Sequence, residues 1–339
     1  MSKITNLSEK NTPSMHILHT LLNAIETLFK IPEKTVARAS FGDLDIGVTF
    51  EQSDVIMLGI PLEETTSFGK GTARGPEAIR TTSAHQIETF VFEEKVDIKR
   101  LIKILDIGDL IIPRKIGGSH NVPLIMSYLD QNLTSIIRQL RDCNKIPISL
   151  GGEHTISYFC YKGLSNHKPL LIHFDAHRDL KSEYNGNRLC HTTPFFKLIE
   201  EGHVAGNDII QIGIRQADQV EDQFAHDNGV ITFDAWEVNK NIEYVISSLS
   251  ELTKNRKIYI SFDIDVYDIQ YVPCTGTPEP FGLNPFEIIE IFKGIHETAD
   301  LVGMDMVEVS LRNNDYREGT LATQTLLRLL TRKFLHTRH

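Results

Sequence analysis

In Leu170-Leu171-Ile172-His173-Phe174-Asp175-Ala176-His177-Arg178-Asp179, a nearly unbroken apolar run gives way abruptly to an Asp-x-His-x-Asp pattern. Such a run is how a strand buried on both faces of a parallel sheet reads. Strand side chains alternate between faces, so Asp175, His177 and Asp179 share one face if the extended conformation continues. Carboxylates held that close repel, and burying them unpaired is costly. A divalent cation removes both problems. His173 lies on the same face but deeper, where packing or support of a neighbouring ligand suits it.

Outward from this segment, similar runs recur at 55–60, 102–107, 146–150, 209–214, 230–233, 258–262 and 301–309. Helical periodicity falls between them, near 120–142, 155–164, 193–201, 242–254, 285–297 and 318–335. This alternation predicts an α/β fold, a single three-layer domain with a mostly parallel sheet of about eight strands flanked by helices. Ligands of such sheets bind beyond the carboxyl ends of the strands. Within residues 1–50, apolar positions at helical spacing from 15 to 29 predict an N-terminal extension whose helix packs on the body. No Pro/Gly/Ser-rich linker or repeat divides residues 51–339, which read as one domain.

A chain of 339 residues is long enough to bury a core without disulfide or metal staples. Its balance of 35 Lys+Arg against 45 Asp+Glu, with no basic stripe, argues against a nucleic-acid partner. A net-acidic surface is compatible with cationic small molecules. The four cysteines lack CxxC spacing and read as reduced thiols of a cytoplasmic protein. The apolar stretch at 15–29 is broken by His19, Asn23 and Glu26 and has neither signal-peptide nor membrane-span character. Phe68-Gly69-Lys70-Gly71-Thr72 lacks the residue order of a phosphate-binding loop.

Two further clusters sit at strand ends. Gly151-Gly152-Glu153-His154 follows the run at 146–150, and its glycines permit a sharp turn. Taken alone, His154 reads more readily as a hydrogen-bonded structural histidine than as a ligand. Asp263 and Asp265 close the run at 258–262, and one such pair reads as turn or capping aspartates. Two aspartate-bearing strand ends together with His154 point instead to metal. Asp175, Asp179, Asp263 and Asp265 carry four negative charges, which two divalent cations balance. Carboxylates with imidazoles suit ions such as Mn²⁺, and Cys-free clusters disfavour structural zinc. Two ions about 3.5–4 Å apart can activate one water and clamp a developing oxyanion, so hydrolysis at an electrophilic carbon is the implied chemistry.

Together these clusters resemble the ureohydrolase family, the arginase and agmatinase group of dimanganese hydrolases. The resemblance runs through residues 59–72, Gly75-Pro-Glu-Ala-Ile-Arg80, GGEHT at 151–155 and FDAHRDL at 174–180. It continues through SFDIDVYD at 261–268, TGTPEP at 275–280 and MVEVS at 306–310. It implies an arginase-like fold with residues 51–339 as the catalytic domain. One manganese would be held by His154, Asp175, Asp179 and Asp263, the other by Asp175, His177, Asp263 and Asp265. Ni²⁺, Co²⁺ or Fe²⁺ could occupy the same ligands. Asp179 would also hydrogen-bond a metal-bridging hydroxide, Glu308 would hold the substrate guanidinium, and His191 would relay protons. By strand alternation Glu308 shares a face with Met304 and Met306. Attack of the hydroxide on the guanidinium carbon would release urea. A homo-oligomer, trimer or hexamer, is the family expectation.

The segment 180–187 and TGTPEP point to the agmatinase branch, with agmatine giving urea and putrescine, and Glu183 facing its cationic tail. Other guanidino compounds (guanidinobutyrate, guanidinopropionate, guanidine, arginine) rank next. The 191–195 segment is similar to that of formimidoylglutamate hydrolases, whose anionic substrate Arg178, Lys181 or Arg188 could serve. Cys274 and Phe281 depart from glycines usual in the family, and a bulky Phe281 could narrow the pocket. A metal-dependent deacetylase and a non-catalytic metal-binding regulator are the rivals from other classes.

Overall fold

The computed structural model describes residues 15–30, 41, 47–113 and 121–335; the rest of the N-terminal extension lies outside them. The chain runs α1 (Met15–Leu28), β1 (Phe29–Lys30), β2 (Val55–Ile60), α2 (Gly75–Gln86), β3 (Phe90–Val91), β4 (Val96–Asp97), β5 (Ile104–Leu110), α3 (Val122–Asp142) and β6 (Ile146–Gly151). It continues with α4 (Ile156–Leu164), β7 (Leu170–Phe174), α5 (Pro194–Glu200), β8 (Ile209–Ile212), α6 (Gln219–Asp227) and β9 (Ile231–Phe233). The last elements are α7 (Ala235–Lys240), α8 (Ile242–Thr253), β10 (Lys257–Asp263), α9 (Pro285–Lys293), β11 (Asp300–Val307) and α10 (Arg317–Leu335).

Nine strands make one sheet in the order β1-β5-β2-β6-β11-β10-β7-β8-β9. Every pairing in it is parallel except β1 on β5. The two residues of β1, opposite Leu110 and Asp109, are too few to carry a period and read in the sequence as the end of a helix. The apolar runs are continuous because both faces are covered. In β2, Val55 and Met57 join one core with α2, α9 and α10, while Ile56, Leu58 and Ile60 join the other with α3 and α4. In β10, Ile258, Ile260 and Phe262 face the first core and Tyr259 the second. Helix starts are fixed locally: Asn284 and Asp218 form capping boxes with Glu287 and Glu221 at α9 and α6.

Helix α2 left no apolar periodicity in the sequence, because a buried ion pair helps hold it. Arg80 is buried and donates twice to Asp106 of β5, at 2.7 and 2.9 Å, and also reaches Asp109. Burial opposes the guanidinium charge, but the two carboxylates hold its pKa above the usual arginine value. All four cysteines are free thiols. Among the described residues no helix is long and apolar enough to cross a membrane.

Breaking a buried pair leaves an uncompensated charge, so Asp106→Ala should cost about 3–5 kcal/mol of unfolding free energy. Urea titration followed by circular dichroism measures it, and a loss within the scatter of surface substitutions would show that the pair is not what holds α2.

Candidate metal centre

The sequence-distant clusters meet because β6, β11, β10 and β7 are neighbours in the sheet. Register brings their ends level: Phe262 pairs with both Phe174 and Met306, and Met306 with Leu150. Just beyond these residues the polar groups converge. His154 Nδ1 lies 3.1 Å from Asp175 Oδ2, 2.9 Å from Asp179 Oδ2 and 3.1 Å from Asp263 Oδ2. His177 Nδ1 lies 3.1 Å from Asp265 Oδ2 and 3.4 Å from Asp175 Oδ1. Two groups, His154–His173–Asp175 and Asp175–His177–Asp265, have donor atoms within 4.8 Å of one another and share Asp175. The four aspartates and His154 are buried, and His177 is half-buried.

Asp175 and Asp263 each close a local turn, as the capping reading expects, and each keeps a second oxygen free to face the cluster. Asp175 Oδ1 accepts the His177 N–H at 2.6 Å, and Asp263 Oδ1 accepts the Asp265 N–H at 2.9 Å. One oxygen of each therefore closes a local turn, and the other faces His154. Extended backbone does not reach Asp179: it sits at φ +53°, and the chain bends to bring its carboxylate in. Gly151 and Gly152 do not supply a left-handed turn. Gly152 is required by close approach, since a Cβ there would lie 1.9 Å from the Leu62 carbonyl oxygen.

The donor set fits a cation. Ser261 Oγ donates to Asp305 Oδ1 at 2.8 Å, which leaves it a lone pair for His154 Nε2 at 3.0 Å. Nε2 then carries a proton, and Nδ1 is the atom turned to three carboxylate oxygens, which against burial hold the imidazole well above its usual pKa. None of them meets Nδ1 in hydrogen-bonding geometry, so it is a buried nitrogen without a partner. Lone pairs converging on one point are what a metal ligand set presents. His173 belongs behind this set. Arg178 donates to Gln211 Oε1 at 2.8 Å, so the Gln211 amide nitrogen faces His173 Nδ1 at 3.1 Å. His173 must then donate from Nε2 to Asp175 Oδ2 at 2.7 Å. It orients the shared carboxylate.

Burial opposes charge throughout, yet the neighbouring carboxylates hold His154 and His177 well above the usual imidazole range, and the histidines hold Asp175 well below the carboxylate range. Burial and then repulsion from Asp175 push Asp179 up to about 7. Burial, with Asp265 and Asp175 nearby, holds Asp263 well above the carboxylate range, and burial with Asp175 raises Asp265. Bound divalent cations would let these groups ionise together.

A cavity of about 330 Å³ opens over the centre, lined among others by His191, Asp179, Asp218, Glu221, Thr277 and Glu308. Glu308 does not continue the β11 alternation with Met304 and Met306: the strand ends at Val307, and φ +59° at Glu308 swings its side chain aside. Its Oε1 accepts the His154 N–H at 2.8 Å, and Gly276 leaves room for Oε2, which a Cβ there would approach to 2.8 Å. Burial pushes Glu308 up to about 8. Glu183 is exposed and outside the cavity wall, where Tyr184 stands instead; the turn at 184–187 points it outward. Phe281 does not narrow the cavity either, being 74% exposed at φ +64°, and Cys274 is also off the wall. Ser261, Asp305 and Gln211 were missed in the sequence, although each is a polar residue inside an otherwise apolar strand run.

A level row of parallel strand ends that buries such a donor set is a candidate metal site at the carboxyl edge of an α/β sheet. The sequence profile of the Arginase family matches residues 53–331, and the chain belongs to that family, whose members cleave C–N bonds of linear amidines at a site that typically holds two Mn²⁺. It is 33% identical over 266 residues to an agmatinase of Pyrococcus horikoshii, covering 78% of this chain and 86% of that one. The agmatine ureohydrolase structure of Thermoplasma volcanium superposes with a TM-score of 0.75 at 26% identity, over 88% of this chain and 95% of that one. A formimidoylglutamase of Bacillus subtilis shares the fold, with a TM-score of 0.72 at 24% identity over 90% and 98% of the two chains.

Adding Mn²⁺ to chelator-treated protein should raise its thermal midpoint, with about 2.7 kcal/mol of stabilisation at a hundredfold excess over the dissociation constant. The increment should largely vanish in Asp263→Ala. Calorimetry with and without Mn²⁺ reads both, and an equal increment in the variant would remove Asp263 from the ligand set.

Proposed function

We propose that the chain hydrolyses agmatine to urea and putrescine, with His154, Asp175, Asp179 and Asp263 holding one Mn²⁺ and Asp175, His177, Asp263 and Asp265 the other. When bound, two such ions supply an activated water for attack on the guanidinium carbon. The observation that carries the substrate class is Glu308, a buried carboxylate turned into the cavity beside the donor cluster. A guanidinium offers planar paired donors to a carboxylate and would stabilise its ionised form. Glu308 thereby orients the reacting carbon, Asp179 accepts a hydrogen bond from the water, and His191 moves the proton to the leaving nitrogen.

The charges around the cavity favour a cationic tail over the anionic tail of formimidoylglutamate. Arg178 is buried against Gln211, Thr232 and Asp222, and Arg188 pairs with Glu200 outside the cavity wall. Lys181, on the wall, is held by both Asp218 and Glu221. Each of the three cations already has a carboxylate partner. Where Asp218 and Glu221 face one lysine, a further positive group is attracted. Free thiols at all four cysteines support a cytoplasmic setting.

The Mn²⁺-loaded protein should release urea from agmatine faster than from arginine, guanidinobutyrate, guanidinopropionate or guanidine, and no formamide from formimidoylglutamate. Formamide release would transfer the protein to the formimidoyl branch. Glu308→Gln removes charge-assisted hydrogen bonds worth about 1.5–3 kcal/mol, so kcat/KM for the best substrate should fall roughly ten- to a hundredfold. Steady-state urea assays test it, and an unchanged kcat/KM would show that Glu308 does not hold the guanidinium.

A further inference from the structure

Beside the cavity lies a second hydrogen-bonded chain that ends on His191 and starts from a carboxylate outside the ligand set. Glu153 is fully buried and takes four donors from its surroundings. Its Oε2 accepts the backbone N–H groups of Glu64 and Thr65 at 2.6 and 2.7 Å. Its Oε1 accepts the hydroxyls of Thr65 and Thr155, each at 2.6 Å. A hydroxyl has one proton to give. Thr65 has given its proton to Glu153, so towards any other neighbour its oxygen can only accept.

That neighbour is His191. Its backbone N–H points at Thr65 Oγ1 from 3.1 Å, and its ring Nδ1 lies 3.3 Å from the same oxygen. An acceptor opposite Nδ1 requires the ring proton there. The second nitrogen, Nε2, lies 3.3 Å from the Ser67 hydroxyl, and His191 and Ser67 both line the cavity. We propose that Glu153 and Thr65 are positioning residues that hold neutral His191 as its Nδ1–H tautomer, leaving the Nε2 lone pair as the atom that takes and returns a proton. The assignment of Nε2 to the reaction rests on the ureohydrolase reading; the tautomer does not. In that reaction, water gives a proton to Nε2 as its oxygen bonds the guanidinium carbon. The bond from carbon to the substituted nitrogen then breaks as Nε2 returns its proton to that nitrogen, and the nitrogen takes a second proton from the hydroxyl left on carbon as that oxygen becomes the carbonyl of urea. The products are urea and the alkylammonium ion, and His191 ends as it began. The opposite tautomer would have its proton already on the nitrogen that must accept one.

The test reads the ring directly. With ¹⁵N-labelled protein loaded with diamagnetic Zn²⁺, long-range ¹H–¹⁵N correlation spectra assign the His191 ring, with His191→Gln identifying its signals. Nδ1 should resonate as a protonated and Nε2 as an unprotonated nitrogen; the reverse in the wild type overturns the proposal by itself, whether or not any variant folds. Thr65→Val removes the acceptor while keeping the shape, so Nε2–H should gain population. In the Mn²⁺-loaded enzyme kcat should fall about tenfold or more at unchanged KM. Thr65→Ser, which keeps the hydroxyl, should retain wild-type tautomer and kcat. A Thr65→Val protein matching wild type in both readouts also overturns the proposal. If no guanidino compound yields urea, the functional reading fails while the spectra still decide the tautomer.

Discussion

The centre depends on one constraint: an imidazole nitrogen and buried carboxylates are forced towards a common point inside the protein. Oxygens of Asp175, Asp179 and Asp263 each lie about 3 Å from the single atom His154 Nδ1, so three buried carboxylates are crowded round one point at a cost in desolvation and repulsion. Nothing in the core needs that arrangement, since the apolar strand runs would pack equally well if they ended in neutral turns. The cost falls on the last residue or two of each strand. The sheet behind must therefore be stiff, and here it is parallel, buried on both faces and level at the carboxyl edge.

Two of the site's side chains are placed by backbone that ordinary residues avoid. Asp179 and Glu308 both lie in the left-handed region, which costs about 1–3 kcal/mol where the surroundings do not compensate. Local hydrogen bonds hold Glu308 there: its N–H donates to the Gly152 carbonyl at 2.9 Å, and its own carbonyl accepts the Thr275 hydroxyl at 2.9 Å. Asp179 has its neighbour Leu180 anchored, through an N–H bonded to Glu221 at 3.2 Å. The strain buys direction, turning side chains out of the two-residue strand period and into the cavity.

That bending marks where the sequence stops being readable. Apolar runs exposed the eight parallel strands within a few residues: most are buried on both faces and leave a signal at every position, while β5 alternates buried and half-buried residues. The donor residues were legible because aspartates at the ends of such runs conflict with burial. What lay hidden needed three dimensions. Helix α2 is tied down by Arg80 to carboxylates from a later strand, and β1 is only two residues long. Strand alternation does not carry through Asp179 and Glu308, because both positions turn into the left-handed region. Glu183 read as acidic and near the site, and its outward direction depends on a turn whose geometry no spacing reveals.

The polar residues that the strand patterns did not explain have a common role, which is to settle where protons reside. Three of the four histidines at the site, His154, His173 and His191, have a neighbour whose own proton, or whose orientation, is fixed by a further group. Asp305 takes the Ser261 hydroxyl and so puts a proton on His154 Nε2; Arg178 orients Gln211 and so puts the proton of His173 on Nε2. Glu153, through Thr65, does the corresponding work for His191 on the proposal above. The first outcome turns Nδ1 to the carboxylate cluster, the second steadies a carboxylate, and the third, on that proposal, leaves a base facing the cavity. An imidazole can serve any of these ends, and its ring alone does not choose among them. The choice is made one residue further out, by buried groups whose only visible sequence signature is polarity where the core would accept a hydrocarbon.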